Sequence, residues 1–100
     1  MPEAKKERYR RIRGAILKLL AYEHPKWVDE KVLYFLLDDL SMTISEEEFE
    51  SHLAYLADRG LVKVEKRKIG KVGVSMILIS SQGLDVLDGF KPDVGVDTRF

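Results

Sequence analysis

The stretch over residues 42–80 constrains the fold most, because a well-capped helix leads there directly into a basic hairpin. Ser45 is a good N-cap residue, and Glu48 follows three positions later, which is the spacing of a capping box. Ile44 and Phe49 stand where a hydrophobic staple would cross that cap. These signals predict that a helix begins immediately after Ser45.

The buried face and the end of this helix can also be located. Phe49, Leu53 and Leu56 recur at helical spacing, which predicts that they face the core. Arg59 is followed by Gly60, the residue type that most easily takes the left-handed conformation that ends a helix. We therefore expect the helix to end at Arg59 and the next segment to pack back onto it.

The segment after this helix has the composition of a β-hairpin. A strand is expected over Leu61–Lys66 and a return strand over Val74–Ile79, which is rich in β-branched and apolar residues. Between them the glycines of Ile69–Gly73 permit a reversal. A capped helix that feeds into a basic hairpin is typical of a winged helix-turn-helix, in which the hairpin is the wing.

Two helices are predicted before this stretch. The first spans residues 5–23 and ends at the His24–Pro25 step, because a residue before proline disfavours helix. The second is Glu30–Leu40 with Asp29 as its N-cap. Its middle is apolar nearly all round, as in a central helix that touches several elements. A short strand at residues 42–44 is placed to pair with the wing.

After the hairpin, a short fourth helix is expected over Gln82–Asp88, capped by Ser80 or Ser81. Residues 1–89 are thus expected to form a winged-helix domain of the α+β class, mainly helical, with a three-helix core, a two-stranded wing and this C-terminal helix. The irregular tail, residues 90–100, is expected to be loose or docked on a partner. Its apolar residues, with the first helix, are the candidate contact of a homodimer.

Composition excludes several kinds of chemistry. The chain has 100 residues and no cysteine, which excludes disulfides, thiolate metal sites and cysteine nucleophiles. Its N-terminus is charged, and no apolar run approaches the ~20 residues needed to cross a bilayer. We therefore expect a single-domain, soluble, cytoplasmic protein with no membrane partner.

A net charge of zero hides two basic segments that flank an acidic middle. The basic residues of the first helix are Lys5, Lys6, Arg8, Arg10, Arg11, Arg13 and Lys18. The basic residues of the hairpin are Lys63, Lys66, Arg67, Lys68 and Lys71. The acids between these segments include Asp38, Asp39, Glu46, Glu47, Glu48 and Glu50.

Most of the chain resembles the small winged-helix proteins encoded in Mu-like prophages, which are described as ArsR-like regulators. The matching stretches are IRGAILKLLA, Ile44–Ser45, HLAYLADRGLV, ISSQGLDVLDG and Pro92–Val96. The LAxLxxxGLV pattern occurs in many winged helices, whereas the fourth-helix phrase with its Gly-Val tail is more specific. The resemblance implies a phage-derived fold of the DNA-binding type, in a family whose function is largely inferred from fold.

The third helix departs from this resemblance. In the family its start carries arginine, whereas Glu46 and Glu50 stand in those places here. The departure counts against ordinary major-groove reading by this helix. Ser51 and Tyr55 are its candidates for contacts with bases. The acids also have a simpler explanation, because acidic side chains favour a helix N-terminus.

The wing carries the main candidates for DNA binding, which are Lys66, Arg67, Lys68 and Lys71. A charged hairpin tip can reach a minor groove or a run of phosphates. Lysines on a strand edge also discourage unwanted pairing, which is the alternative explanation. In the first helix Arg8 and Arg11 are candidates for phosphate contacts, although Glu7 and Arg11 also form an ordinary i,i+4 helix pair.

Catalysis and metal binding are not expected. His24 and His52 share no metal-ligand spacing, so each is expected at the surface or at the boundary of the core. The chain shows no nucleophile–base pattern and no phosphate-cradling glycine loop. We therefore expect a protein that is not an enzyme and needs no cofactor.

Two functions remain open on these grounds. The first is a phage-derived transcription regulator that binds double-stranded DNA mainly through the wing and the first helix. The second is a protein-interaction module on the same scaffold, with a phage or host protein as partner and no DNA binding. The basic wing and the resemblance favour the first function, whereas the acidic third helix favours the second.

Overall fold

Residues 3–99 fold into four helices and a three-stranded antiparallel sheet, which places the protein in the α+β class that its sequence predicts. The structure is a computed structural model and describes residues 3–99. In chain order, the elements are α1 (Glu3–Glu23), β1 (Val28–Asp29), α2 (Glu30–Asp39), α3 (Glu46–Asp58), β2 (Val62–Ile69), β3 (Val72–Ile79) and α4 (Ser81–Leu87). The strand order in the sheet is β1-β3-β2.

The core is built around α1. Its residues Ile12, Ile16, Leu17 and Leu20 are buried, and the helix contacts α2, α3, α4 and β3. Each such side chain contributes roughly 1.5–3 kcal/mol when it is withdrawn from water. Among residues 3–99, no helix is long and apolar enough to cross a membrane.

A strand that the sequence did not predict enters the sheet just before α2. In β1, Val28 lies opposite Ile77 of β3. Asp29 ends this strand and caps α2 as predicted, because its side chain accepts the backbone N–H of Lys31 at 2.7 Å. β1 therefore joins the first residues of α2 to the middle of the hairpin.

The short strand expected at residues 42–44 is not formed. The backbone groups of this segment are already bonded locally, which explains the difference. The N–H of Met42 donates to the carbonyl of Leu37 at 3.3 Å, and the Tyr34 hydroxyl donates to the carbonyl of Ile44. The segment is therefore a tight connection from α2 to α3.

α2 contacts α1, β1 and β3, as expected of a helix that touches several elements, but it is not covered all round. Leu33 and Leu37 are buried, but Val32 and Phe35 are 51% and 65% exposed. The apolar middle of α2 also predicts a buried Leu36, which is only half-buried. One side of α2 thus presents large apolar side chains to solvent.

Both ends of α3 lie where predicted, although the capping box is only half formed, because the Glu48 side chain bonds to Arg8 and not to the Ser45 N–H. Ser45 Oγ accepts the backbone N–H of Glu48 at 3.1 Å, which caps the first turn. At the other end Gly60 takes a φ of 74°, and the N–H of Leu61 reaches back to the carbonyl of Leu56 at 2.9 Å. This is the hydrogen bond of a Schellman motif, and it directs the chain straight into β2.

The hairpin formed by β2 and β3 is longer than predicted. Val62 lies opposite Ile79 at its base, and Ile69 lies opposite Val72 at its tip. The connection therefore has two residues, and Gly70 takes the φ of 65° that such tight turns favour. Burial is confined to the base of the hairpin, so its outer half projects from the domain.

The fourth helix is fixed to the end of α3 and the start of β2. Ser80 Oγ accepts the N–H of Gly83 at 3.1 Å and donates to the carbonyl of Gly60 at 2.6 Å. Gly83 packs so closely on the carbonyl of Leu61 that a Cβ would collide with it. Of the two predicted caps of α4, Ser80 and Ser81, the structure therefore shows Ser80.

Residues 90–99 contain no helix or strand, but they are docked on this chain. Val96 is buried, and the N–H of Asp97 donates to the carbonyl of Arg10 at 3.0 Å. Arg10 in turn donates from Nε to the carbonyl of Val94 at 2.9 Å. The expectation of a loose or partner-docked tail is therefore wrong, because α1 supplies its docking surface.

Candidate nucleic-acid interface

The four hairpin cations predicted to bind DNA are all exposed, namely Lys66, Arg67, Lys68 and Lys71. Their cross-strand partners explain part of this exposure. Lys66 lies opposite Ser75 and Lys68 lies opposite Gly73. Because these partners are small, the opposing strand does not cover the lysine side chains.

Strand alternation distributes these cations over two faces of the hairpin. Lys66 and Lys68 share one face, whereas Arg67 lies on the other. The Arg67 guanidinium is 5.3 Å from the centre of the Trp27 ring and donates from Nε to Glu65 at 3.2 Å. Trp27, which directly precedes β1, thus contacts the hairpin through Arg67.

The hairpin lysines differ from Arg67 in whether they form ion pairs. Among the described residues, Lys66, Lys68 and Lys71 form no salt bridge, whereas Arg67 is paired with Glu65. An unpaired ammonium group on a projecting hairpin can neutralise a phosphate without first breaking an ion pair. These three lysines are therefore the best-placed cations for a polyanion.

The two candidates on α1 already contact carboxylates. Arg8 Nη1 lies 3.0 Å from Glu48 Oε2 of α3, and Arg11 Nε lies 4.0 Å from Asp97 Oδ2 of the tail. The arginine side chains are 46% and 64% exposed, so each can turn toward another partner, although the Glu48 and Asp97 carboxylates are only 24% and 4% exposed. A phosphate bound by either arginine would nevertheless approach the carboxylate that the arginine now contacts.

The two candidates on α3 have different surroundings. Ser51 is exposed, but Tyr55 is half-buried and its hydroxyl donates to Asp93 Oδ1 at 3.0 Å. The Arg13 guanidinium lies 3.7 Å from the centre of the Tyr55 ring. Burial, and then the bond to Asp93, raise the pKa of Tyr55, so the hydroxyl remains a donor. Tyr55 is therefore grouped with the tail and not with the hairpin.

The start of α3 brings negative charge next to α1. Glu46, Glu47 and Glu50 are exposed, and the Glu48 carboxylate turns away from the cap to meet Arg8. The basic stretch of α1 is thus adjoined by acids where it meets α3. We conclude that the hairpin offers a less compensated positive surface than α1.

His52 is buried, contrary to the expectation of a surface or boundary position. Arg13 Nε donates to its Nδ1 at 3.1 Å, so the ring proton is on Nε2, which lies 3.3 Å from Glu48 Oε2. Burial, and then the charge of Arg13, lower the pKa of His52. Its position one turn from Phe49 was the sequence signal for burial. Within residues 3–99, no group of three or more His, Asp or Glu side chains is placed to hold a metal ion.

Comparisons with known proteins give this chain no relative. No family model, no curated protein and no solved structure matches it. The choice between functions therefore depends on the charges and contacts described above.

Proposed function

We propose that the protein is a winged-helix transcription regulator of phage origin, which binds double-stranded DNA mainly through the hairpin. The order of helix, short strand, two helices and hairpin agrees with a winged helix-turn-helix, in which α3 would be the recognition helix. Since one fold serves many functions, the charges of the surface must decide between them.

The observation that carries this proposal is the set of unpaired lysines on the projecting hairpin. Lys66, Lys68 and Lys71 are exposed and free of ion pairs among the described residues, and phosphate neutralisation supplies most of sequence-independent DNA affinity. The acidic start of α3 would repel phosphates. We therefore assign the main contact to the hairpin, with Arg8 and Arg11 of α1 in a secondary role.

The test is the salt dependence of binding to a random DNA duplex, measured by fluorescence anisotropy. Each phosphate that the protein neutralises contributes about −0.9 to the slope of log affinity against log salt, so three lysines supply roughly −3. The variant with Lys66→Ala, Lys68→Ala and Lys71→Ala should lose that share of the slope and bind all sequences more weakly.

A matched control removes the same charge elsewhere. Lys26→Ala, Lys31→Ala and Lys91→Ala change three lysines that are exposed and outside the hairpin, and this variant should keep most of the parent's slope. Equal losses in the two variants would show that only net charge matters. Unchanged binding by the hairpin variant at low salt would refute the proposed contact.

The second candidate function is a protein-interaction module without DNA binding. It is favoured by the exposed acids at the start of α3 and by the exposed apolar side chains of α2. If the parent protein shows no affinity for duplex DNA even at low salt, this function becomes the better explanation.

A further inference from the structure

The starts of α2 and α3 enclose a groove that the proposed DNA contact does not use. Its volume is about 270 Å³. Phe49 is buried at its base, Tyr34 is half-buried beside it, and Phe35 is 65% exposed at its edge. A large apolar side chain held in the open at a concave surface is typical of an interaction site.

The rim of this groove is acidic. Glu30, Glu46 and Glu50 line it, and Lys31 is the base among its lining residues. Among the described residues, none of the three glutamates forms a salt bridge. Uncompensated carboxylates around an apolar floor select an occupant that is both basic and apolar.

The tip of the hairpin has this chemistry. Ile69 and Val72 form its last cross-strand pair and are 70% and 64% exposed. Lys68 and Lys71 stand beside them and are free of ion pairs among the described residues. The tip is therefore an apolar pair flanked by positive charges, which is the complement of the groove.

The tip cannot enter the groove of its own chain. Asp29, which precedes the groove residue Glu30, lies opposite Met76 of β3, and the tip begins at Val72. The separation of four positions between Met76 and Val72 places the tip roughly 13 Å further along the strand. The regular pairing of the hairpin continues to that tip, so the strand does not fold back.

We propose that the hairpin tip of one copy docks in the α2–α3 groove of a second copy, and that the exchange is reciprocal. Ile69 and Val72 then cover Phe35, while the tip lysines face Glu46 and Glu50. A reciprocal exchange uses the same pair of surfaces on both copies and closes as a two-fold dimer. This contact replaces the tail in the expected homodimer, because the tail is docked on its own α1.

The dimer does not depend on DNA binding, although the two compete. The same tip lysines are used in both, so duplex DNA should dissociate the dimer. Self-association is therefore measured without DNA, and its failure leaves the salt-dependence experiment unaffected.

The test is sedimentation of charge-reversed variants at low salt. The parent mass should rise from the 11.5 kDa of one chain toward twice that value as the concentration approaches high micromolar. A groove variant, Glu46→Lys with Glu50→Lys, should stay monomeric, as should a tip variant, Lys68→Glu with Lys71→Glu. Their equimolar mixture should dimerise, because each contact between unlike variants again joins opposite charges.

Two further variants separate docking from effects on folding and on net charge. Phe35→Ala removes the exposed aromatic side chain at the edge of the groove without a charge change and should weaken the parent dimer. Asp85→Lys with Asp88→Lys reverses two exposed acids, one on α4 and one at its C-cap, and should leave the dimer intact. A parent that stays monomeric at high micromolar concentration overturns the proposal, as does a mixture of folded variants that fails to associate.

Discussion

At the scale of single residues, burial decides what the polar side chains do. His52 and Arg13 connect α1 to α3, because the Arg13 guanidinium donates to the imidazole and also to the carbonyl of Gly95 at 3.3 Å. Glu48 joins the same network from the other side of the ring. A histidine that accepts a hydrogen bond at Nδ1 must stay neutral, so this network depends on pH.

His52 should make the protein less stable as the pH falls below its ordinary pKa of 6.5. Burial and Arg13 lower its pKa in the folded state, so below 6.5 the unfolded state binds more protons. The contribution of neutral His52 to the free energy of unfolding is complete above pH 6.5. It is lost as the pH falls through the pKa that His52 has in the folded state. Urea midpoints between about pH 7 and pH 5 measure this loss.

The variant His52→Gln isolates this titration from that of the carboxylates. Glutamine can accept from Arg13 and donate to Glu48 but has no proton to gain in this range. The free energy of unfolding should fall less for the variant than for the parent over the same pH interval. Identical pH profiles would show that His52 does not titrate in this window. The titration of Asp97 changes stability only at lower pH, since its hydrogen bonds with Arg99 lower its pKa from 3.8 to about 2.

At the scale of elements, α3 has one face for the core and one for solvent. Leu53 is 6% exposed and Leu56 is fully buried, whereas Ser51 and Ala54 are exposed. The Ser45 cap and the Gly60 turn hold this orientation at both ends. The outer face of α3 carries both acidic and uncharged side chains, and its orientation relative to the hairpin is therefore fixed.

Leu53→Ala should lower the free energy of unfolding by about 2–5 kcal/mol, because it removes buried methyl groups and leaves a cavity. Chemical denaturation of the two proteins measures the difference. Ser51→Ala, two positions earlier on the outer face of the same helix, is the control and should change stability little. A loss near zero for Leu53→Ala would mean that the assigned buried face is wrong.

At the scale of the whole molecule, the tail is part of the folding unit. Asp93 accepts from Tyr55 of α3, and Asp97 is hydrogen-bonded through its N–H to α1. Gly95 packs so closely on the Tyr55 hydroxyl that a Cβ would collide with it. The tail thus closes over the α1–α3 junction, which ties the two ends of the chain together.

The neighbouring valines of the tail give a matched test of this integration. Val96 is 5% exposed and Val94 is 82% exposed. Val96→Ala should lower the free energy of unfolding by roughly 1–3 kcal/mol through lost burial and a small cavity, whereas Val94→Ala should have almost no effect. Equal effects in thermal or urea unfolding would mean that the tail does not pack in solution.

The helices, the hairpin and their caps could be predicted from the sequence, since these signals are local. Ser45 before an acidic turn, Gly60 after Arg59 and the β-branched and apolar run that ends at Ile79 each act within a few residues. The sequence also located the cations on the hairpin. They are exposed because burial is confined to the base of the hairpin. Asp29 was found as a cap, but the strand it ends was not, since two residues carry no periodicity.

Which charged side chains form ion pairs and which apolar surfaces stay exposed to solvent could be seen only in the folded structure. Arg8 and Glu48 are 40 residues apart, so no local pattern predicts their ion pair. Tyr55 became a tail contact because Asp93 approaches it across a similar separation. Phe35 is 65% exposed because, within residues 3–99, no other element covers that side of α2. Long-range packing sets these outcomes, and packing depends on where whole elements meet rather than on the residues of any one segment.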